Sequence, residues 1–292
     1  MFIATLIAAE GLAGGDISAA RDALAAIGAA PGVGRWIERC HAADVPFSGD
    51  PIAARGALEG LVDKVDVIVQ RAEGREKRLL VADMDSTMIT IECIDELADY
   101  AGIKAQIAEV TERAMRGELD FEGALDARVA LLKGLAASAI DRCYAERVKI
   151  MPGARPLIRT MRAHGARTVL VSGGFTVFAD RVAREIGFDR ALSNTLDIAG
   201  EALAGTVARP IVGAAAKKET LLAEMAAMGI GAEATLAVGD GANDIPMIEA
   251  AGLGVAYHAK PKTAAAADAR IAHGDLSALL YAQGYARADW VE

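Results

Sequence analysis

The chain has little cysteine, no basic excess and no long apolar run. Its three cysteines, Cys40, Cys93 and Cys143, cannot all pair and show no metal-ligand spacing. That excludes a disulfide framework or a cysteine-based zinc module and points to a reducing compartment. Lys and Arg total 31 against 40 Asp and Glu, a net charge of −9, and no basic patch stands out. Nucleic acid and anionic membranes are therefore excluded as main partners. No uncharged apolar run approaches the roughly 18 residues of a membrane span. The apolar start, Met1–Ala9, contains no Lys or Arg and is interrupted by Glu10, so it is expected as a strand and not as a secretory leader. The expected location is the cytoplasm. The chain is rich in core-forming residues: 292 in length, 53% hydrophobic and 24% charged, enough for one large or two ordinary domains.

Residues 1–75 form one expected unit. Phe2–Ala8, Gly34–His41, Val45–Phe47 and Val65–Gln70 are strand candidates. Asp16 can cap a helix running to Ile27, and Asp50-Pro51 starts a second running to about Val62. The order βαββαβ predicts an α+β ferredoxin-like domain. The charged stretch 71–78 is expected as a linker. Residues 76–292 form the second expected domain: from Leu79 strands and helices alternate, which predicts an α/β, Rossmann-like, mostly parallel sheet covered on both faces. A helical insert spans about 93–148. Strands are expected at 79–82, 166–171, 191–198, 205–212, 234–238 and 253–256, with another near Ile271.

Three of these strands end in polar groups: Asp83/Asp85, Ser172-Gly173, and Asp240/Asn243/Asp244. Ligands of open α/β sheets bind beyond the carboxyl ends of strands, so the three ends can converge on one site. Asp83 and Asp85, at i and i+2, point the same way along an extended chain. Paired carboxylates suit a hard cation or divided acid–base roles. Asn243 or Asp244 can also serve simply as a helix cap, with Pro246 in the first turn, but capping does not require Asp240. Ser172-Gly173 offers a hydroxyl and free N–H groups that suit phosphate. Lys217 and Lys218 sit near a helix start, where the helix dipole disfavours cations, so one of them can serve an anion. Carboxylates, a cation site and a phosphate cradle together describe phosphoryl transfer with Mg²⁺.

Asp83-Met-Asp-Ser-Thr, Val171-Ser-Gly-Gly, Lys217 and Gly239-Asp-Gly-Ala-Asn-Asp, in that order, resemble the haloacid dehalogenase-like hydrolases. Over about residues 78–285 the closer pattern is similar to the phosphoserine phosphatase family, through Glu92, Gly117-Glu-Leu-Asp-Phe121, Arg128-Val-Ala-Leu-Leu-Lys and Met151-Pro-Gly. The resemblance implies that Asp83 is the nucleophile and Asp85 the acid and base. It implies Mg²⁺ on Asp83, the Asp85 backbone carbonyl and Asp240. Ser172, Gly173 and Lys217 would hold phosphate oxygens, Asn243 the phosphate or the attacking water, and Asp244 would orient Lys217. Lys217 is preferred to Lys218 because the family's run is Lys-x-Glu-x-x-Leu, although here Leu falls one place early.

The implied substrate is O-phosphoserine. Beyond its phosphate it carries an ammonium, which Glu92 could hold, and a carboxylate, which Arg128 could grip in bidentate fashion. Phe121, Leu125, Arg128 and Leu132 share one helix face, so Arg128 either snorkels to solvent or pairs with an anion. Phe121 would belong to a lid that excludes water, or simply to the core of the insert. Two other readings stand beside this one. The same fold could serve another small phosphomonoester or transfer phosphate to an alcohol. Alternatively, the chain could be chiefly a regulatory amino-acid-binding protein, for which residues 1–75 offer a fold-level analogy. A homodimer is compatible with either.

Overall fold

The computed structural model describes residues 1–292, apart from the side chain of Met115. The N-terminal unit comprises β1 (Phe2–Ala8), α1 (Gly14–Ala26), β2 (Ala30–Pro31), β3 (Arg35–Glu38), β4 (Ala42–Ser48), α2 (Pro51–Leu58) and β5 (Val65–Arg71). Its sheet is antiparallel: β4, β1 and β5 lie side by side, and β2 and β3 both pair with the outer edge of β4. Ile17, Ala20 and Leu24 of α1 and Ala54 and Leu58 of α2 pack on one sheet face. The result is the ferredoxin-like arrangement expected from the element order.

β1 is apolar apart from Thr5 because both of its faces are buried. Ala4, Leu6 and Ala8 meet the two helices, whereas Ile7 joins the core of the rest of the chain. That second face carries buried polar residues whose donors and carboxylates are bonded, as burial requires, while Gln70 Oε1 is left without a partner. Thr5 donates to Asp44 Oδ1 (2.8 Å), and Gln70 Nε2 donates to Ala282 O (2.8 Å). The 71–78 stretch is not a free linker: Lys77 N donates to Gln283 Oε1 (3.0 Å), and its Nζ to Glu233 O (2.9 Å). Asp16 does not cap α1. It sits in the first turn and its carboxylate reaches back to Ala13 N (2.7 Å). The second helix stops at Leu58, short of Val62, where Gly60 turns the chain at φ +76°.

The remainder comprises β6 (Leu79–Ala82), α3 (Cys93–Ala101), α4 (Lys104–Met115), α5 (Phe121–Leu131), α6 (Ser138–Arg147), α7 (Ala154–Ala163), β7 (Arg167–Phe175) and α8 (Thr176–Ile186). Then follow β8 (Arg190–Asn194), β9 (Leu196–Ala199), β10 (Ala202–Val207), α9 (Ala214–Met228), β11 (Thr235–Gly239) and α10 (Ile245–Ala250). The chain closes with β12 (Leu253–Tyr257), α11 (Pro261–Ala266), β13 (Ala269–Ile271) and α12 (Ala278–Gln283). Six strands form one parallel sheet in the order β13-β12-β11-β6-β7-β8.

Helices α3–α6 make the insert. Its two ends are joined at the neck by an Ile89–Ile150 bridge, with Thr90 N donating to Lys149 O (3.0 Å) and Met151 N to Met88 O (2.9 Å). The strand expected over 191–198 is broken into β8 and β9, and the one expected over 205–212 is shifted to Ala202–Val207. Pro210, lacking an N–H, cannot extend the ladder. The β9–β10 hairpin instead packs against the insert, with Gly134 N donating to Leu203 O (2.9 Å).

Candidate active site

Strands β11, β6 and β7 are neighbours, so their carboxyl ends meet. Asp83 continues the ladder beyond β6 by donating its N–H to Val238 O (3.0 Å). Its Oδ1 accepts from Met84 N (2.7 Å) and lies 2.7 Å from Lys217 Nζ. Asp83, Asp85, Glu92, Phe121, Arg128, Ser172, Gly173, Asp240 and Asn243 line one cavity of about 390 Å³ between the sheet and the insert. Lys217 and Asp244 lie beneath it, both fully buried.

Lys217 and Lys218 separate cleanly. Lys217 lies in the second turn of α9, past the helix start, and points into the core, whereas Lys218 is exposed. Lys217 Nζ donates to Asp244 Oδ1 (2.6 Å). Burial alone would lower the Lys217 ammonium, but Asp244 and Asp83 hold it above its ordinary value. Asp244 does not use its side chain to cap α10. Its second oxygen accepts from Gly241 N (2.9 Å), which shapes the Gly239–Asp244 turn.

The carboxylates crowd. Burial and then Asp244 push Asp83 well up, against the pull of Lys217. Burial and then Glu92 raise Asp85 to about 7. Burial, Asp244 and Glu92 raise Asp240 to about 6. Oxygens of Asp83, Asp240 and Asp244 lie within 4.8 Å of one another, and buried Asp85 Oδ1 has no hydrogen-bond partner. An all-oxygen, under-compensated set of this kind fits a hard divalent cation. The side-chain cluster includes Asp244 where the resemblance implied Asp83, Asp240 and a backbone carbonyl. Asp244 is already matched by Lys217.

The Ser172 segment differs from the expected turn. Extended backbone runs on to Phe175, with a register shift between Val171 and Phe175. Asn194 supplies the missing ladder partners: its Oδ1 accepts from Val212 N (2.7 Å), and its Nδ2 donates to Gly173 O (2.9 Å) and Val212 O (3.2 Å). Ser172 Oγ accepts from Gly174 N (2.9 Å). A Cβ on Gly173 or on Gly213 would stand 3.1 or 3.0 Å from the Phe121 ring, so only bare backbone admits that ring. Phe121 thus bridges insert and sheet.

From the insert, Glu92 Oε1 accepts from Ser86 Oγ (2.7 Å). Arg128 Nε donates to Ala124 O (3.2 Å), and burial lowers the guanidinium despite Asp95 and Glu92 nearby. Leu125 lines the cavity beside it, while Leu132, one turn on, is core. Sequence reasoning missed four residues here. Asn194 had no usable signal, because the strand expected over 191–198 ran through it. Thr87, which donates to Asp240 Oδ1 (3.2 Å), and the lining residues Asp95 and Lys260 had none.

A parallel sheet with acids at its central strand ends and a helical insert over them defines a phosphoryl-transfer type of hydrolase fold, and residues 77–252 match the family model of the haloacid dehalogenase-like hydrolases. The chain belongs to that family. Within it, the chain is 45% identical over 242 residues to the phosphoserine phosphatase of Streptomyces coelicolor, covering 82% of this chain and 59% of that one. It is 45% identical over 208 residues to the phosphoserine phosphatase of a Polaromonas species, covering 70% of this chain and 88% of that one. The solved structure of a probable phosphoserine phosphatase from Vibrio cholerae superposes with a TM-score of 0.79 at 34% identity, covering 98% of this chain and 88% of that one. The chain thus spans well under two thirds of the Streptomyces relative's length. Among the described residues no helix is long and apolar enough to cross a membrane.

Proposed function

We propose that the chain hydrolyses O-phosphoserine to serine and phosphate in the cytoplasm, as the last step of serine biosynthesis. The observation that carries this reading is one cavity in which Asp83, Asp85 and Ser172 face Glu92 and Arg128. The first set suits a phosphate ester, and the second suits an ammonium and a carboxylate. The names of the relatives support the same substrate.

In the proposed mechanism a carboxylate oxygen of Asp83 attacks phosphorus and the P–O bond to serine breaks. Asp85, raised to about 7 and so able to carry a proton near neutrality, protonates the departing serine oxygen. The aspartyl-phosphate is then cleaved by water, which gives its proton back to Asp85 as it bonds to phosphorus, and Asp83 leaves as a carboxylate. Ser172, the Gly173 N–H and Lys217 hold the phosphate oxygens, Asn243 contacts phosphate or water, and Asp244 keeps Lys217 in place. Phe121 excludes bulk water during the first step. Mg²⁺, held by Asp83, Asp240 and the Asp85 carbonyl, would neutralise charge on the phosphate oxygens.

The test is phosphate release from O-phosphoserine with Mg²⁺, with chelator, and in Asp83→Asn. Mg²⁺-dependent release that vanishes in Asp83→Asn supports the reading. Turnover of an aryl phosphate without turnover of phosphoserine keeps the chemistry and overturns the substrate.

A further inference from the structure

One cation at the cavity has no part in the mechanism above. Lys260 is exposed and lines the mouth. The lining acids are Asp83, Asp85, Glu92, Asp95 and Asp240, while Arg128 lies on the insert. A phosphomonoester dianion approaching from the sheet side therefore meets mostly negative charge, and Lys260 is the cation placed to offset it.

Its backbone is held from both sides. Lys260 N donates to Asp240 O (3.4 Å), and Lys260 O accepts from Ala264 N (3.0 Å) in α11. Two residues earlier His258 adopts φ +42°, a conformation uncommon for a residue with a side chain. It is pinned there at two points: its backbone N donates to Ile271 O (2.8 Å), and its Nε2 donates to Gly274 O (2.9 Å).

The segment that pins His258 is gripped in turn by the N-terminal unit. Asp66, 4% exposed, accepts from three consecutive backbone N–H groups: Ala272 (2.8 Å), His273 (3.2 Å) and Gly274 (2.8 Å). Three amides converging on a carboxylate form an anion nest, here filled from the other domain. Such charge-assisted bonds are stronger than neutral ones and set geometry well.

We propose that Lys260 is a substrate-contacting cation that captures the phosphate dianion at the cavity mouth, and that Asp66 is a positioning residue that sets Lys260 through residues 272–274 and His258. The proposal rests on the phosphate-site reading of the preceding subsection. It gives the N-terminal unit a part in catalysis that needs no ligand of its own.

The test uses the full chain with Mg²⁺, O-phosphoserine and an aryl phosphate. Lys260→Gln should raise KM about three- to tenfold for both substrates, leave kcat near wild type, and flatten the fall of kcat/KM with added salt. Asp66→Ala should reproduce both effects, and Asp66→Ala combined with Lys260→Gln should be no worse than Lys260→Gln alone. Asp66→Asn, which keeps one acceptor oxygen, should fall between wild type and Asp66→Ala and serves if the alanine variant does not fold. An unchanged KM and salt slope in Lys260→Gln overturns the role of Lys260. Additive effects in the double variant overturn the positioning role and leave Asp66 as a tether between domains. Wild-type inertness toward both substrates would instead sink the phosphate-site reading. In that case the affinity for inorganic phosphate decides, and equal affinity in wild type and Lys260→Gln overturns the proposal.

Discussion

Lys217 Nζ and Asp83 Oδ1 are 2.7 Å apart, with the lysine fully buried beneath the floor of the cavity. Asp244 completes the group from the other side at 2.6 Å. Removing the cation leaves two buried carboxylates facing each other, a loss of about 3–5 kcal/mol for an unpaired buried charge. Lys217→Met should therefore lower the unfolding midpoint in urea and abolish phosphate release. Lys218→Ala, on the exposed side of the same helix, should stay within about 0.5 kcal/mol of wild type and keep its activity. Urea melts of the two variants, side by side, check the pair.

Glu92 and Arg128 should affect substrate choice far more than chemistry. Arg128→Ala and Glu92→Gln are each expected to lower kcat/KM for phosphoserine about 100-fold or more, as for loss of a charge-assisted bond of about 3 kcal/mol. An aryl phosphate lacks both partner groups, so its kcat/KM should fall less than about threefold. Equal losses on both substrates would remove these residues from the substrate reading.

Stability of the metal-free protein should fall as pH rises through the range set by Asp85 and Asp240. Their folded values, about 7 and about 6, lie above the ordinary 3.8. The folded state then binds more protons than the unfolded state between those limits, so unfolding becomes easier as pH rises from about 4 to about 7. A divalent cation favours the ionised carboxylates and should reverse the trend. Melting curves with chelator and with Mg²⁺ at pH 5 and pH 7.5 test it. The Mg²⁺ effect is expected to be larger at pH 7.5 by about 5 °C.

Gly173→Ala should cripple activity with a modest loss of stability. The added Cβ would stand 3.1 Å from Phe121 Cζ, so the ring must shift away from the sheet. Retreat opens the cavity to water, so the activity loss should exceed about tenfold. Phe121→Leu in the same chain should restore part of it by vacating the contact.

Much of the fold was readable because periodicity and punctuation agreed. Phe2–Ala8 matched its strand residue for residue, and Asp50-Pro51 opened α2, with Asp50 accepting from Ile52 N (2.9 Å). The acids at the strand ends were readable because a strand running into Asp or Ser-Gly is chemically unusual. The failures share a cause, which is partners distant in sequence. Asn194 keeps the Ser172 segment extended through bonds to residues 173 and 212, which local propensity does not register. Asp244 carried two readings, a cap and a partner of Lys217; only the family resemblance pointed to the second, which the 2.6 Å contact bears out, because Lys217 lies 27 positions away. The 71–78 stretch looked like a solvated linker because the backbone N–H and ammonium of Lys77 meet Gln283 Oε1 and Glu233 O only in the folded chain.

The two-sided burial of β1 has an engineering consequence. An N-terminal unit grafted from another protein would need a helix-facing core of its own and, on the opposite side, acceptors and donors matching those of Thr5, Asp44, Asp66 and Gln70. A graft that copied only the fold would present apolar side chains to Ala282 O and to the amides of residues 272–274, leaving them dry and unbonded. Interchangeability of this module is governed by a polar code of four side chains on the hidden face of its sheet, and sequences that share the shape but not the code should fail to dock.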